Sequence, residues 1–198
     1  MTSLPDAGSR SSTAGSRPGR VPELHRSQSP ARPLRFVVIT VSTSRYHAGK
    51  GRKKAPDKSG DLAQELIERS GATVARRDLV PDSAPRIEAS VLRALKSADV
   101  DAVVLTGGTG ISTTDVTIET VRPLLAKEIE GFGEVFRSVG FGRIGFAAAL
   151  SRATAGVANG KAVVALPGSP DGVKTGLELI LGELPHVLHL AAGQRELS

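Results

Sequence analysis

Three short segments of the sequence carry residues suited to phosphate chemistry. Gly107-Gly108-Thr109-Gly110 sets three glycines around one threonine, and such bare backbone lets successive N–H groups approach and cradle an anion. Asp82 and Asp115 are carboxylates of the kind that hold a magnesium ion on phosphates, which takes one or two acids plus waters. Pro167-Gly168-Ser169-Pro170 adds a small, hydroxyl-bearing turn. Each has a plainer use. The glycine tetrapeptide also makes a tight strand-to-helix connection with no ligand. Both aspartates precede expected helices, where free amides and the helix dipole favour a carboxylate, and Ser169 doubles as a helix cap.

Other phosphate and nucleophile signatures are absent. A dinucleotide fingerprint would need glycine at position 113, which is Thr113. Gly156 to Lys161 is too short for a Walker loop and lacks the following Ser or Thr. His186 and His189 stand at i, i+3 with no third ligand at metal spacing, and the stretch LPGSPDG has no nucleophile-elbow pattern.

The elements that must position these segments read as strands alternating with helices. RFVVITV (35–41), ATVARRDLV (72–80) and DAVVLT (101–106) are short β-branched runs expected as strands. Ser59 is expected to cap a helix carrying Leu62, Ala63, Leu66 and Ile67 on one stripe. A second helix follows Ser83 with Pro85 in its first turn, and a third runs from about Thr117 to Lys127 with an irregularity at Pro123. The stretch 131–150 has helical tendency broken by glycines. ATAGVA, the turn Asn159-Gly160 and KAVVALP predict a hairpin, and Ser169-Pro170 opens the last long helix. The order predicts a three-layer α/β/α domain with a mostly parallel central sheet and one antiparallel hairpin strand. In such sheets ligands bind beyond the carboxyl ends of the strands. The segments there are Ser42 to Arg45, Pro81 to Ser83, Gly107 to Gly110 and Pro167 to Pro170, so all should meet on one rim.

Composition narrows the function. The 198 residues hold no cysteine, which removes disulfides, thiolate metal sites and a cysteine nucleophile. Five Phe, one Tyr and no Trp leave too few aromatic platforms for base stacking. The net charge of +6 is uneven: residues 1–60 hold 12 Lys and Arg against 3 Asp and Glu, whereas residues 61–198 hold 14 against 17. The surplus belongs to a tail and one loop, which argues against a nucleic-acid-binding body. Residues 1–33, with seven Ser, five Pro and five Arg, are expected as a disordered basic tail. A domain over 34–190 and a short tail over 191–198 complete the expected organisation, with no membrane segment.

Taken together, VLTGGTGISTTDVT (104–117), EGFGE (130–134), LSRATAGVANGK (150–161), LPGSP (166–170) and DKSG (57–60) resemble the MoaB/MogA family of molybdenum cofactor biosynthesis, in particular its MoaB branch. The resemblance covers about residues 34–190. It implies a cytoplasmic homotrimer or hexamer that adenylylates molybdopterin with Mg2+ and ATP, releasing pyrophosphate and passing its product to a downstream molybdate-inserting protein. It implies catalytic and metal-holding roles for Asp82 and Asp115, and nucleotide phosphate binding by Gly107, Gly108, Thr109, Gly110, Pro167, Gly168 and Ser169. Pterin contacts fall to Ser151, Ser59, Gly60 and Glu134. The segment bearing Phe132, Phe136, Phe141 and Phe146 would supply the subunit interface. The chain departs from the family in two places. Its first loop carries Arg45, Lys50, Arg52, Lys53, Lys54 and Lys58, of which Lys53 and Lys54 could meet the triphosphate as a lid. The last turn reads PGSP where relatives often carry PGNP or PGQP, which keeps open the alternative of a non-catalytic molybdopterin- or molybdate-binding protein.

Overall fold

The computed structural model describes residues 32–48 and 56–193. Strand β1 (Arg35–Val41) is covered on both faces and runs parallel between β2 (Thr73–Val80) and β3 (Ala102–Thr106). The two-residue β4 (Lys127–Glu128) pairs antiparallel with β5 (Thr154–Ala158), which pairs antiparallel with β6 (Lys161–Leu166). Because β6 lies parallel beside β3, the six strands form one sheet in the order β2-β1-β3-β6-β5-β4.

Strand alternation divides the core into two layers. Phe36, Val38, Val104, Val164 and Leu166 face one way, against α2 (Lys58–Arg69), α5 (Glu130–Ile144), α6 (Pro170–Ile180) and α7 (Leu184–Gly193). Val37, Ile39, Val103, Leu105 and Val163 face the other, against α3 (Ala84–Lys96) and α4 (Thr117–Val121). Each such fully buried Val, Ile, Leu or Phe contributes about 1.5–3 kcal/mol. The three-layer arrangement expected from the sequence is therefore present, including the hairpin: Asn159 and Gly160 both take positive φ, 56° and 72°, as a two-residue turn between twisted strands requires.

Several details differ from expectation. Asp57, not Ser59, caps α2, its Oδ1 accepting from the Gly60 amide at 3.1 Å. The helix expected over 117–127 stops at Val121; a 3-10 turn over Arg122–Leu124 absorbs Pro123, and Lys127–Glu128 forms the edge strand. Of the glycines in 131–150 only Gly145, with φ 61°, breaks the helix: α5 continues through the others to Ile144, and a 3-10 helix follows over Gly145–Leu150. At Gly133 the missing side chain is used: a Cβ there would stand 2.8 Å from the Ala153 carbonyl oxygen. Residues 191–193 belong to α7 rather than to a tail. Arg32, expected in the disordered tail, donates to both carboxylate oxygens of Asp101 at 2.8 and 2.9 Å. Residues 1–31 of that tail, and Lys50, Arg52, Lys53 and Lys54 of the basic loop, lie outside the described residues. Among the described residues, no helix is long and apolar enough to cross a membrane.

Candidate functional site

The carboxyl ends of β1, β2, β3 and β6 open on one rim, and the loop after β3 sets its geometry. Gly107 and Gly108 take φ of 101° and 62°. A Cβ on Gly107 would lie 2.3 Å from the Val41 carbonyl oxygen, and one on Gly108 would lie 2.5 Å from Thr117 Oγ1 and 2.8 Å from Asp82 Oδ1. Glycine is thus required here both for conformation and for space. Thr117, at the start of α4, pins the turn: its Oγ1 donates to the Gly107 carbonyl at 2.8 Å and its amide to the Gly108 carbonyl at 2.9 Å.

Asp82 joins the loop after β2 to the one after β1. Its Oδ2 accepts from the Thr43 amide at 2.8 Å and from Thr43 Oγ1 at 2.9 Å, while its own amide donates to that hydroxyl at 2.9 Å. The cap role open to Asp82 is therefore real, but it serves α1 (Thr43–Ala48) through Oδ2 and leaves Oδ1 against Gly108. Asp115 closes its own turn, accepting from the Ser112 amide at 3.2 Å, and its Oδ2 lies 2.7 Å from where a Cβ on Gly110 would stand. Each carboxylate is admitted to the rim by one glycine of the loop.

These groups share a cavity of about 530 Å3 lined by Asp82, Asp115, Gly107 to Gly110, Ser151 and Pro167 to Ser169. Its size suits a ligand of nucleotide dimensions. Ser151, Pro167 and Ser169 also line an adjoining cleft of about 60 Å3 that reaches Arg143 and Asp171. Ser169 caps α6, accepting from the Gly172 amide at 3.1 Å.

Three residues expected at the site stand elsewhere. Ser59 is buried in the first turn of α2 and donates to the Gly168 carbonyl at 2.6 Å, so it supports the turn from behind. Gly60 packs against Asp57 and Arg77, leaving no room for a Cβ. Glu134 is exposed on α5 and does not line the cavity. Beneath the rim, Asp57 Oδ2 accepts from Thr40 Oγ1 at 2.7 Å and from Arg77 Nη2 at 2.8 Å. Burial pushes the Asp57 carboxyl up, but these hydrogen bonds and the Gly60 amide outweigh it and hold the group below its ordinary value.

Sequence reasoning missed Arg152 and Glu119. Arg152 Nε donates to the Thr109 carbonyl at 2.9 Å and Nη2 to the Gly110 carbonyl at 2.7 Å, while Nη1 pairs with Glu119 of α4. The hydrogen bond from Arg152 holds the Glu119 carboxyl below the usual range despite some desolvation. The local signal was only an arginine at the mouth of a strand, since its partners lie 33 and more residues away.

The profile of one family, described as "Probable molybdopterin binding domain", matches residues 37–186. "Molybdopterin adenylyltransferase" of Pyrococcus furiosus is 42% identical over 170 residues, spanning 84% of this chain and 95% of the relative. "Probable molybdopterin adenylyltransferase" of Methanocaldococcus jannaschii is 38% identical over 161 residues, spanning 81% and 96%. The crystal structure of the tungsten cofactor synthesizing protein MoaB from Pyrococcus furiosus superposes with a TM-score of 0.73 at 41% identity, covering 82% of this chain and 99% of that one.

Proposed function

The chain belongs to the molybdopterin-binding domain family of molybdenum cofactor biosynthesis, and from that premise we propose that it transfers the adenylyl group of ATP to molybdopterin. The observation that carries the reading is the convergence of Asp82, Asp115, the glycine loop and the Pro167 to Ser169 turn on one cavity. An oxygen of the terminal phosphate of molybdopterin attacks the α-phosphorus of ATP. A new P–O bond forms, the bond to the β-phosphate's bridging oxygen breaks, and that oxygen leaves with pyrophosphate. The attacking phosphate is already anionic near neutral pH, so no general base is needed; none of the described residues that line the cavity is a histidine. What the reaction needs is alignment and neutralisation of charge.

The residues divide that work. The Gly107 amide is taken by the Leu166 carbonyl, so the N–H groups of the loop beyond it, with the Pro167 to Ser169 turn, face the phosphates, and Ser151 places the pterin beside them. Asp82 and Asp115 offer hard carboxylate oxygens, with Oδ1 of Asp82 turned to the loop, and this donor set fits Mg2+. When bound there, the ion would supply positive charge against the triphosphate. Ser59 and Gly60 serve the site by supporting it rather than by touching the pterin, and Glu134 has no role within a single subunit's cavity.

The same reading takes the protein as a cytoplasmic homotrimer or hexamer whose product passes to a molybdate-inserting protein. The exposure of Phe141 (61%), Ile144 (56%), Phe146 (77%) and Leu150 (51%) on one segment supports assembly. Phe132 and Phe136, by contrast, are core residues. Leu150 also lines the cavity, so that interface would border the site.

The test is pyrophosphate release by the purified chain with molybdopterin, ATP and magnesium, compared with Asp115→Asn. Release that falls about 10²–10³-fold in the variant supports the reading. Binding of molybdopterin without release would replace it with the non-catalytic alternative.

A further inference from the structure

Arg152 does not line the cavity, yet it grips the loop that does. One edge of its guanidinium spans two successive carbonyls, Nε to Thr109 at 2.9 Å and Nη2 to Gly110 at 2.7 Å. The far side is held by Glu119, through Nη1 to Oε1 and through Nη2 to Oε2 at 3.3 Å. A guanidinium presents its N–H donors in a rigid planar fork. Engaged on both edges, it has little freedom to turn.

The consequence follows from peptide geometry. In a trans peptide the carbonyl of one residue and the N–H of the next point in opposite directions. With the carbonyls of Thr109 and Gly110 turned to Arg152, the N–H groups of Gly110 and Ile111 are turned away from it. Among the described residues no acceptor takes up either amide. Thr109 and Gly110 line the cavity and Arg152 does not, so the side away from Arg152 is the side on which a phosphate would lie. Thr117 and the Leu166 carbonyl pin the two glycines ahead of Thr109, and the Arg152 clamp fixes the two carbonyls that follow before any ligand arrives.

Resting on the adenylyl-transfer reading of this cavity, the geometry points to Arg152 as the positioning residue of the phosphate loop, with Glu119 fixing its guanidinium. Arg152 touches no substrate. Its effect is exerted through the direction of the Gly110 and Ile111 amides, whose contacts matter most as charge redistributes at the α-phosphorus. Lysine cannot replace it, because an ammonium is a point donor that cannot span both carbonyls in one plane.

The test uses the full-length chain as wild type, Arg152→Lys, Arg152→Ala and Glu119→Gln, with thermal midpoints confirming that each is folded. Amide order parameters from 15N relaxation are measured without ligand, and kcat and KM for ATP with molybdopterin and magnesium. In Arg152→Lys the order parameters of Gly110 and Ile111 should fall from about 0.85 to below about 0.6 while those of β3 hold. Its kcat should drop about 10²-fold, with a much smaller change in KM. Glu119→Gln should lie between it and wild type, and methylguanidinium should restore part of the kcat of Arg152→Ala. An equally ordered loop and wild-type kcat in folded Arg152→Lys would overturn the assignment. Loosening of the loop in a protein whose wild type makes no adenylyl-molybdopterin would uphold the clamp and reject the chemistry.

Discussion

Ser59 Oγ donates a 2.6 Å hydrogen bond to the carbonyl oxygen of Gly168, joining residues 109 apart in sequence. Ser59 is buried and Gly168 exposed, so the bond is partly shielded from water, and it ties the first turn of α2 to the turn that ends β6. Ser59→Ala removes that bond, and because water can reach the Gly168 carbonyl the loss should be about 0.5–1.5 kcal/mol. Urea unfolding should show the loss, and KM should rise for whichever substrate the Pro167 to Ser169 turn holds. A changed KM for molybdopterin at unchanged stability would instead support direct contact between Ser59 and the pterin.

Gly108 and Gly71 both have positive φ, 62° and 84°, but differ in surroundings. Nothing lies within 4 Å of a Cβ on Gly71, whereas one on Gly108 meets Thr117 Oγ1 and Asp82 Oδ1 below 3 Å. Gly71→Ala should therefore cost only the left-handed penalty of about 1–2 kcal/mol and keep activity. Gly108→Ala should cost more and abolish turnover, because accommodating the methyl moves Asp82 or opens the loop. Parallel thermal melts and turnover assays separate the two.

The Asp57 carboxyl supplies a pH-dependent prediction. Its pKa is depressed in the folded protein, so its contribution to stability is complete above the unfolded value of about 3.9 and is lost as pH falls through the folded value. Groups facing it are Thr40, the Gly60 amide and Arg77, and Arg77 also donates to Asp61 at 2.6 Å. The stability difference between wild type and Asp57→Asn, from urea midpoints, should be flat at pH 6–8 and shrink only below about pH 4. A difference that already shrinks near pH 6 would show that the carboxyl is not held ionised.

Phe141 and Phe146 give the proposed assembly a direct test. Replacing both with serine removes apolar surface that the subunit leaves exposed and does not use in its own core. Monomer stability should change by less than about 1 kcal/mol, while light scattering should report a smaller species than the wild type. An unchanged mass would place the interface elsewhere.

The sheet was readable because β1, β3 and β6 are short β-branched runs followed by small or glycine-rich loops, and because Asn159-Gly160 specifies its turn locally. The rim of the site was readable for the same reason, since parallel strands deliver the loops that follow them to one end. What stayed hidden depends on distant partners. Asp57 and Ser59 are both able to cap, and the choice between them is made by Thr40, Arg77 and Gly168. The strand Lys127–Glu128 has no strand-like composition and exists through its pairing with Val157 and Gly156. Arg152 acquires its role only when Glu119 and the glycine loop are brought to it.

The central claim is that the α-phosphorus of ATP is transferred at the cavity between Asp82 and Asp115. The most direct measurement follows ATP labelled at the α-phosphorus in the presence of molybdopterin and magnesium. The account predicts that the label moves to the pterin product while unlabelled pyrophosphate is released, and that Asp82→Asn and Asp115→Asn, both folded, slow the transfer about 10²–10³-fold. Label remaining wholly in ATP with folded wild-type protein, under conditions where an active relative turns over, would contradict it.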